Sequence, residues 1–297
     1  MTGLSGEPCP LCGNARSNLF DRRTFRGKQV TNRICANCGL VFQSPRMTEG
    51  ELKAFYQGEY RQLYQGNQEP GAKDLAVQRL RARALSEFLQ LSGVRPTTHL
   101  DSGCSAGLLL ERLRDDFGCQ PTGVEPGDAY RSHAQRRGLP VYASLDELEP
   151  VACTKFDLIS LIHVLEHLPD PLTYLTHLRQ HFLSPDGWLL IEVPNLYAHD
   201  CFEIAHLVSY SPRTLRQTVE KAGFAIQLFQ AHGRPRSQLI PLYLTLLARP
   251  LNPPPDPATH QIIPEQRVRL KRRLGLIRRR ILERLYPRQA WLPLPVS

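Results

Sequence analysis

The sequence predicts an α/β fold, a seven-stranded sheet with helices on both faces, flanked by a small cysteine-bearing module and a basic C-terminal helix. Three observations lead there. Thr97 to Leu110 reads T-T-H-L-D-S-G-C-S-A-G-L-L-L, an extended run that bends through glycines into an apolar helical pattern. From there to residue 249, short apolar runs alternate with helical patterns, as they do in βαβ units. Lys155-Phe-Asp-Leu-Ile-Ser-Leu-Ile-His163 is nearly continuous apolar sequence, as a parallel strand buried on both faces requires. Together they describe a Rossmann-like sheet.

Composition sets the limits. The chain has 297 residues and 41% hydrophobic content, enough for one large core with appendages. No apolar run reaches the roughly 18 residues of a membrane span. The start, M-T-G-L-S-G-E-P-C-P, lacks the basic-then-apolar pattern of a signal peptide, so a cytoplasmic location is expected. The net charge of +9 is local: residues 264–297 hold ten of the 37 Lys/Arg and two of the 28 Asp/Glu, which leaves the body nearly neutral. Of eight cysteines, four sit in two C-x-x-C pairs. Cys104, Cys119, Cys153 and Cys201 have no disulfide-framework spacing, which fits a reducing compartment.

Residues 1–45 read as a metal module. Cys9-Pro-Leu-Cys12-Gly13 and Cys35-Ala-Asn-Cys38-Gly39 give C-x2-C, 22 residues, C-x2-C. Four thiolates at this spacing can close a tetrahedral Zn2+ site with no open position. The glycines permit the positive φ of each knuckle turn, and Leu19 to Ile34 has the alternation of a hairpin too small to fold alone. A redox pair or free thiols are the competing readings. The expectation is a structural zinc ribbon.

Residues 46–96 read as a helical bridge. Thr48 and Glu51 form a capping-box pattern. Ala72 to Leu91 carries Leu75, Val77, Leu80, Ala84, Leu85, Phe88 and Leu89 as an apolar stripe, with Arg79, Arg81 and Arg83 expected in solvent. The run C-x-x-C-G-L-V-F-x-x-P-R followed by an acidic helix and Glu59-Tyr60 resembles the N-terminal module of zinc-ribbon methyltransferases of sugar and polysaccharide modification. That resemblance implies that Tyr60 closes over the cofactor; an ordinary packing tyrosine is the alternative.

Residues 97–249 carry the chemistry. A strand that turns into a helix N-terminus makes a nucleotide-type site. The dinucleotide fingerprint needs Gly at 101, 103 and 106, and this chain has Asp101, Gly103 and Ala106. An acid at the strand end would repel a pyrophosphate and favours a cationic ligand. S-adenosylmethionine, with its ammonium and sulfonium, is one. Asp101, Gly103, Cys104 and Gly107 resemble motif I of the class I S-adenosylmethionine-dependent methyltransferases, roughly D-x-G-C-x-x-G, a family that often has Gly where this chain has Ser105. A second strand, Gln120 to Glu125-Pro126, ends in an acid 22 residues beyond Gly103, an offset suited to accepting both ribose hydroxyls.

Helix 128–137, a short strand 139–142 and a helix start at Ser144 follow, with Asp146 either at the adenine amine or simply exposed. The buried strand 155–163 leads into His163-Val-Leu-Glu166-His167-Leu-Pro-Asp-Pro171, and F-D-x-I…H-V-L-E-H-L-x-D-P resembles the same methyltransferase group. The resemblance implies that His163 lies beside the methionyl part of the cofactor, that His167 faces substrate and that His206 lines the same cleft. All three are base candidates, with hydrogen-bond donation the competing role. Helix 173–183, a fifth strand 186–195, a helix capped by Ser211-Pro212 and ended by Gly223, and strands 224–229 and 242–248 complete the pattern, the last two as the antiparallel pair with which the family closes.

Residues 250–257 are a proline-rich linker. Beyond it Leu270, Leu274, Ile277, Ile281 and Leu285 share one helical stripe among arginines, for which peripheral membrane contact, binding of a partner or RNA, and packing on the domain compete. The expected activity is methyl transfer to a small-molecule acceptor, with a sugar or a polysaccharide or lipid precursor implied by the resemblance. RNA methylation using ribbon and tail is the alternative. The central strand end lacks the Asn/Asp-Pro-Pro-Tyr/Phe sequence of many base-methylating enzymes, which argues against a nucleic-acid partner. A cofactor-binding protein without catalysis is the third reading. The oligomeric state is not legible.

Overall fold

The computed structural model describes residues 7–55, 58, 69–151, 155–200, 202–254 and 260–293. Tyr60, Cys153, Cys201 and part of the linker lie outside the described residues. β1 (Ser17–Phe25) and β2 (Lys28–Cys35) form the expected hairpin, turning at Arg26 and Gly27. β3 (Val41–Gln43) adds to β2, and Thr48 caps α1 (Glu49–Ala54) in a capping box with Glu51. α2 spans Ala72–Leu91, as its stripe predicts.

The main sheet then builds through β4 (Thr98–Ser102), α3 (Leu108–Phe117), β5 (Gln120–Val124), α4 (Asp128–Arg136), β6 (Val141–Tyr142), α5 (Leu145–Leu148), β7 (Phe156–Ile162), α6 (Pro171–His177) and β8 (Leu183–Pro194). The expected helix 173–183 is α6 followed by a π-type turn over Leu178–Phe182. β9 (Val208–Ser209), α7 (Pro212–Lys221), β10 (Phe224–His232), β11 (Tyr243–Pro250), α8 (Val268–Leu285) and α9 (Pro287–Ala290) complete the order.

The main sheet has seven strands in the order β10-β11-β8-β7-β4-β5-β6. β6, β5, β4, β7 and β8 run parallel, and β11 is antiparallel to both β8 and β10. This is the predicted Rossmann-like methyltransferase sheet. Alternation along the buried strands sends Leu158 and Leu190 to one face, against Leu85 and Leu89 of α2 and Leu113 of α3. Ile159, Leu161, Leu189 and Ile191 go to the other face, against Leu175 of α6 and Leu215 and Val219 of α7. From β4 the chain winds outward to β6 and then returns to β7 on the other side. Ligands of open α/β sheets bind in the crevice that such a reversal leaves at the carboxyl ends of the strands.

The smaller sheet has the order β1-β2-β3-β9, and its fourth strand comes from the far side of the sequence. Val41 pairs with Ser209 and Phe42 with Val208. The Gln43 side-chain amide donates to the carbonyls of Glu203 and His206, each at 2.7 Å. The hairpin module is therefore stitched to residues 203–209, a contact that no local pattern announces.

Candidate active site

At the end of β4 the backbone bends through three left-handed residues: Gly103 at φ 83, Ser105 at φ 51 and Gly107 at φ 78. The N–H groups of Gly103 and Cys104 both donate to Val124 O, at 2.7 and 2.9 Å, pinning the bend to β5. A Cβ on Gly103 would run into Val164 and one on Gly107 into Leu139, so these glycines serve the turn and close helix–strand packing. Ser105 holds its left-handed backbone at a cost of order 1 kcal/mol. Its N–H donates to Glu125 Oε2 at 2.9 Å, and Gly127 N–H donates to Oε1 at 2.9 Å.

Asp101 is buried at the end of the same strand. Ser160 on β7 gives its hydroxyl proton to Asp101 Oδ1 at 2.5 Å, so His99 Nε2 must donate to Ser160 Oγ at 2.7 Å. Burial pulls His99 down to about 3, which keeps it neutral. Burial pushes Asp101 up to about 7; Ser160 opposes this and the nearby Glu125 adds to it. Burial, Asp101 and Glu125 also raise the Cys104 thiol. The groups that move Asp101 are burial, Ser160 and Glu125, so two carboxylates stand close together at the strand ends of the crevice.

Across the crevice stand three histidines. His163 follows β7 at φ 56, held by its N–H to Glu192 O at 2.8 Å. Its Nε2 lies 3.2 Å from Glu192 Oε1, and its Nδ1 faces Glu166 Oε1 at 3.4 Å as an ion pair. Burial and the Arg81 charge work against protonation of His163, but contacts with Glu166 and Glu192 outweigh them and raise its pKa. With both nitrogens against carboxylates, His163 is built to donate. His167 differs: Nδ1 donates to Ala205 O at 2.8 Å, which leaves the lone pair on Nε2. Burial lowers it to about 4, so it is neutral near pH 7. The His206 ring meets His167 edge-on at 4.9 Å. Glu166 is buried with neither carboxylate oxygen in a well-formed hydrogen bond. Ligand atoms of Glu166, His167 and His206 all lie within 4.8 Å of one another, a set able to hold a cation.

These groups open on one cavity of about 870 Å³, which also takes in Pro126, Ser144 and Asp146. That volume suits a nucleoside-sized ligand with an acceptor beside it. Among the expected site residues, Asp101, Gly103, Cys104, Glu125, Pro126, His163, His167 and His206 line it. Gly107 does not; it caps α3.

The four paired cysteines form a second site. Cys9 and Cys38 Sγ are 3.5 Å apart, as are those of Cys12 and Cys35, and all four lie within 4.8 Å of one another. A disulfide would need about 2.05 Å. Sulfurs around a tetrahedral zinc, each about 2.3 Å from the ion, stand about 3.8 Å apart. Gly13 and Gly39 are at φ 71 and 80, and the N–H groups of Asn37 and Leu40 point at the Cys35 and Cys38 sulfurs at 3.4 Å. This donor set and turn geometry fit a zinc ion.

The sequence model of a methyltransferase-domain family matches residues 75–228, more than half of the chain. The chain belongs to this family of methyltransferase domains. The ubiquinone biosynthesis O-methyltransferase of Actinobacillus pleuropneumoniae serotype 7 is 36% identical over 107 residues, 32% of this chain and 45% of that protein. The protein of the same name from Cereibacter sphaeroides is 32% identical over 147 residues, 46% of this chain and 57% of the relative. The chain spans about half the length of the curated relatives it matches. In structure it is similar to Burkholderia thailandensis 1,6-didemethyltoxoflavin-N1-methyltransferase, solved with 1,6-didemethyltoxoflavin and S-adenosylhomocysteine. The TM-score is 0.54 at 21% identity, covering 78% of this chain and 100% of the other, and it shows a shared fold.

Within the methyltransferase domain, sequence reasoning missed Arg81, Glu166, Glu192 and Tyr243. Arg81 was expected in solvent with its neighbours; it turns into the crevice, 3.1 Å from the buried Glu192 and over the Tyr243 ring. Glu192 also accepts from Thr245 Oγ1 at 2.9 Å and sits 3.4 Å from His232. Its signal was an acid inside an otherwise apolar buried strand, which must find partners.

Proposed function

We propose that this chain transfers a methyl group from S-adenosylmethionine to a hydroxyl of a small-molecule acceptor. The observation that carries the reading is the strand-end acids Asp101 and Glu125 lining one crevice with the neutral imidazole of His167. Bound S-adenosylmethionine would supply an electrophilic methyl on a positively charged sulfur. Asp101 ionises against the ligand's ammonium. Glu125, oriented by the Ser105 and Gly127 N–H groups, accepts the ribose hydroxyls. His163, clamped by Glu166 and Glu192, acts as a fixed donor and positive charge. His167 Nε2 takes the acceptor's proton, with His206 beside it fixing the acceptor in line.

The resemblance of Cys35 to Arg46 to sugar-modifying enzymes favours a sugar or a polysaccharide or lipid precursor, and the O-methylating relatives favour oxygen as the acceptor atom. The same reading assigns a structural zinc to Cys9, Cys12, Cys35 and Cys38. Tyr60, outside the described residues, remains a candidate lid over the ligand. No described helix is long and apolar enough to cross a membrane.

The test is calorimetry with S-adenosylhomocysteine, then a metabolite panel scored for transfer of labelled methyl from S-adenosylmethionine. The expected result is binding that Asp101→Ala abolishes, and labelling of a hydroxylated compound. Near-normal affinity in Asp101→Ala would sink the reading of the crevice. Binding without turnover on any acceptor would leave a binding protein.

A further inference from the structure

Helix α8 is mounted back to front. Its inward side is made by Val268, Arg272, Gly275 and Arg279: Val268 and Arg272 are buried, Arg272 donates to the carbonyls of Leu196 and His199, and Arg279 donates to Ala198 O at 3.1 Å. Gly275 lies against the Tyr197 carbonyl so closely that any Cβ would collide with it. Polar contacts to the loop after β8 thus hold the helix down. The aliphatic stripe Leu270, Leu274, Ile277, Ile281 and Leu285 points the other way, each residue between 42% and 65% exposed. At helical spacing, Arg273, Arg280 and Arg284 border the stripe on one side and Arg278 on the other. Packing on the domain, one of the three uses open from sequence, therefore accounts for the opposite face of the helix.

The chemistry of the face selects its occupant. The helix carries eight Lys/Arg and one Glu, so a second copy would set arginines against arginines. The stripe has no Trp or Tyr within α8, the residues that anchor protein interfaces. RNA would use the charges and leave the stripe in water. Aliphatic side chains at the level of acyl chains, with arginines at the level of phosphates, match an anionic bilayer. We propose that α8 docks flat on an anionic phospholipid surface through this stripe. The proposal is independent of the methyl-transfer reading.

The test is sedimentation of the full chain with phosphatidylcholine vesicles, with and without phosphatidylglycerol. Binding is expected only to the anionic vesicles. Ile277→Asp with Ile281→Asp should weaken it about tenfold or more, and Arg273→Gln and Arg280→Gln about fivefold each. All four side chains face solvent, so unchanged thermal melting checks the fold. Failure of the parent chain to sediment with anionic vesicles overturns the proposal, as does undiminished binding by the Asp pair. A dimer seen by light scattering, and dissociated by the Asp pair, would assign the stripe to a second copy instead.

Discussion

Asp101 is the residue at which pH is felt first. Its folded value of about 7 lies above the ordinary carboxylate range, so its ionisation costs stability as pH rises from about 4 through 7. A cationic ligand reverses that preference. Affinity for S-adenosylmethionine should therefore fall as pH drops below about 7, approaching tenfold per unit, with proton release on binding above the plateau lost. Calorimetry across pH checks this, and Asp101→Asn should bind weakly and without that slope. The histidines should separate in kinetics. His167→Gln should lower kcat by about 100-fold or more with little change in S-adenosylhomocysteine affinity. His163 is raised, so it contributes stability below about pH 6.5 that is lost as pH climbs through its folded value. His163→Gln removes the charge beside the buried Glu166, while Glu192 keeps Arg81, and should lower the melting midpoint as well as kcat. Asp101 and Glu125 were legible because strand-end acids at a fixed offset have a local pattern. Arg81 and Glu192 were not, because they find each other from α2 and β8, more than a hundred residues apart, and periodicity assigns a face without naming a partner.

Among elements, the strands and helices of the main sheet were legible from alternation, caps and glycine stops: Ser211 and Pro212 start α7 as their types require, and Gly223 at φ 89 follows its end. Boundaries shifted where tertiary contacts decide them. The helix after β4 starts only at Leu108, because the left-handed bend continues through Gly107. Gly275, which by propensity weakens α8, is the residue that lets it approach Tyr197. Gly275→Val should lift α8 from the loop after β8 and expose residues beyond 260 to limited proteolysis, while S-adenosylhomocysteine affinity stays within about twofold, since the crevice does not include α8.

At the scale of the whole molecule, β9 was illegible: two residues cannot announce a strand, and their partner is β3, far back in the sequence. It is also the piece that joins the two centres. The cysteine knuckles shape the hairpin module, β3 and Gln43 of that module grip residues 203–209, and this same loop presents the Ala205 carbonyl that sets the His167 tautomer. Cys35→Ser, or a chelator, should strip the proposed zinc, read by mass spectrometry, and cut turnover about tenfold or more, while affinity for S-adenosylhomocysteine changes little, because Asp101 on β4 and Glu125 just after β5 belong to the other sheet. On the proposed zinc assignment, a protein starved of the ion would keep its grip on the methyl donor and lose the hand that passes it on, so supply of a trace element would throttle the reaction without competing for either reactant.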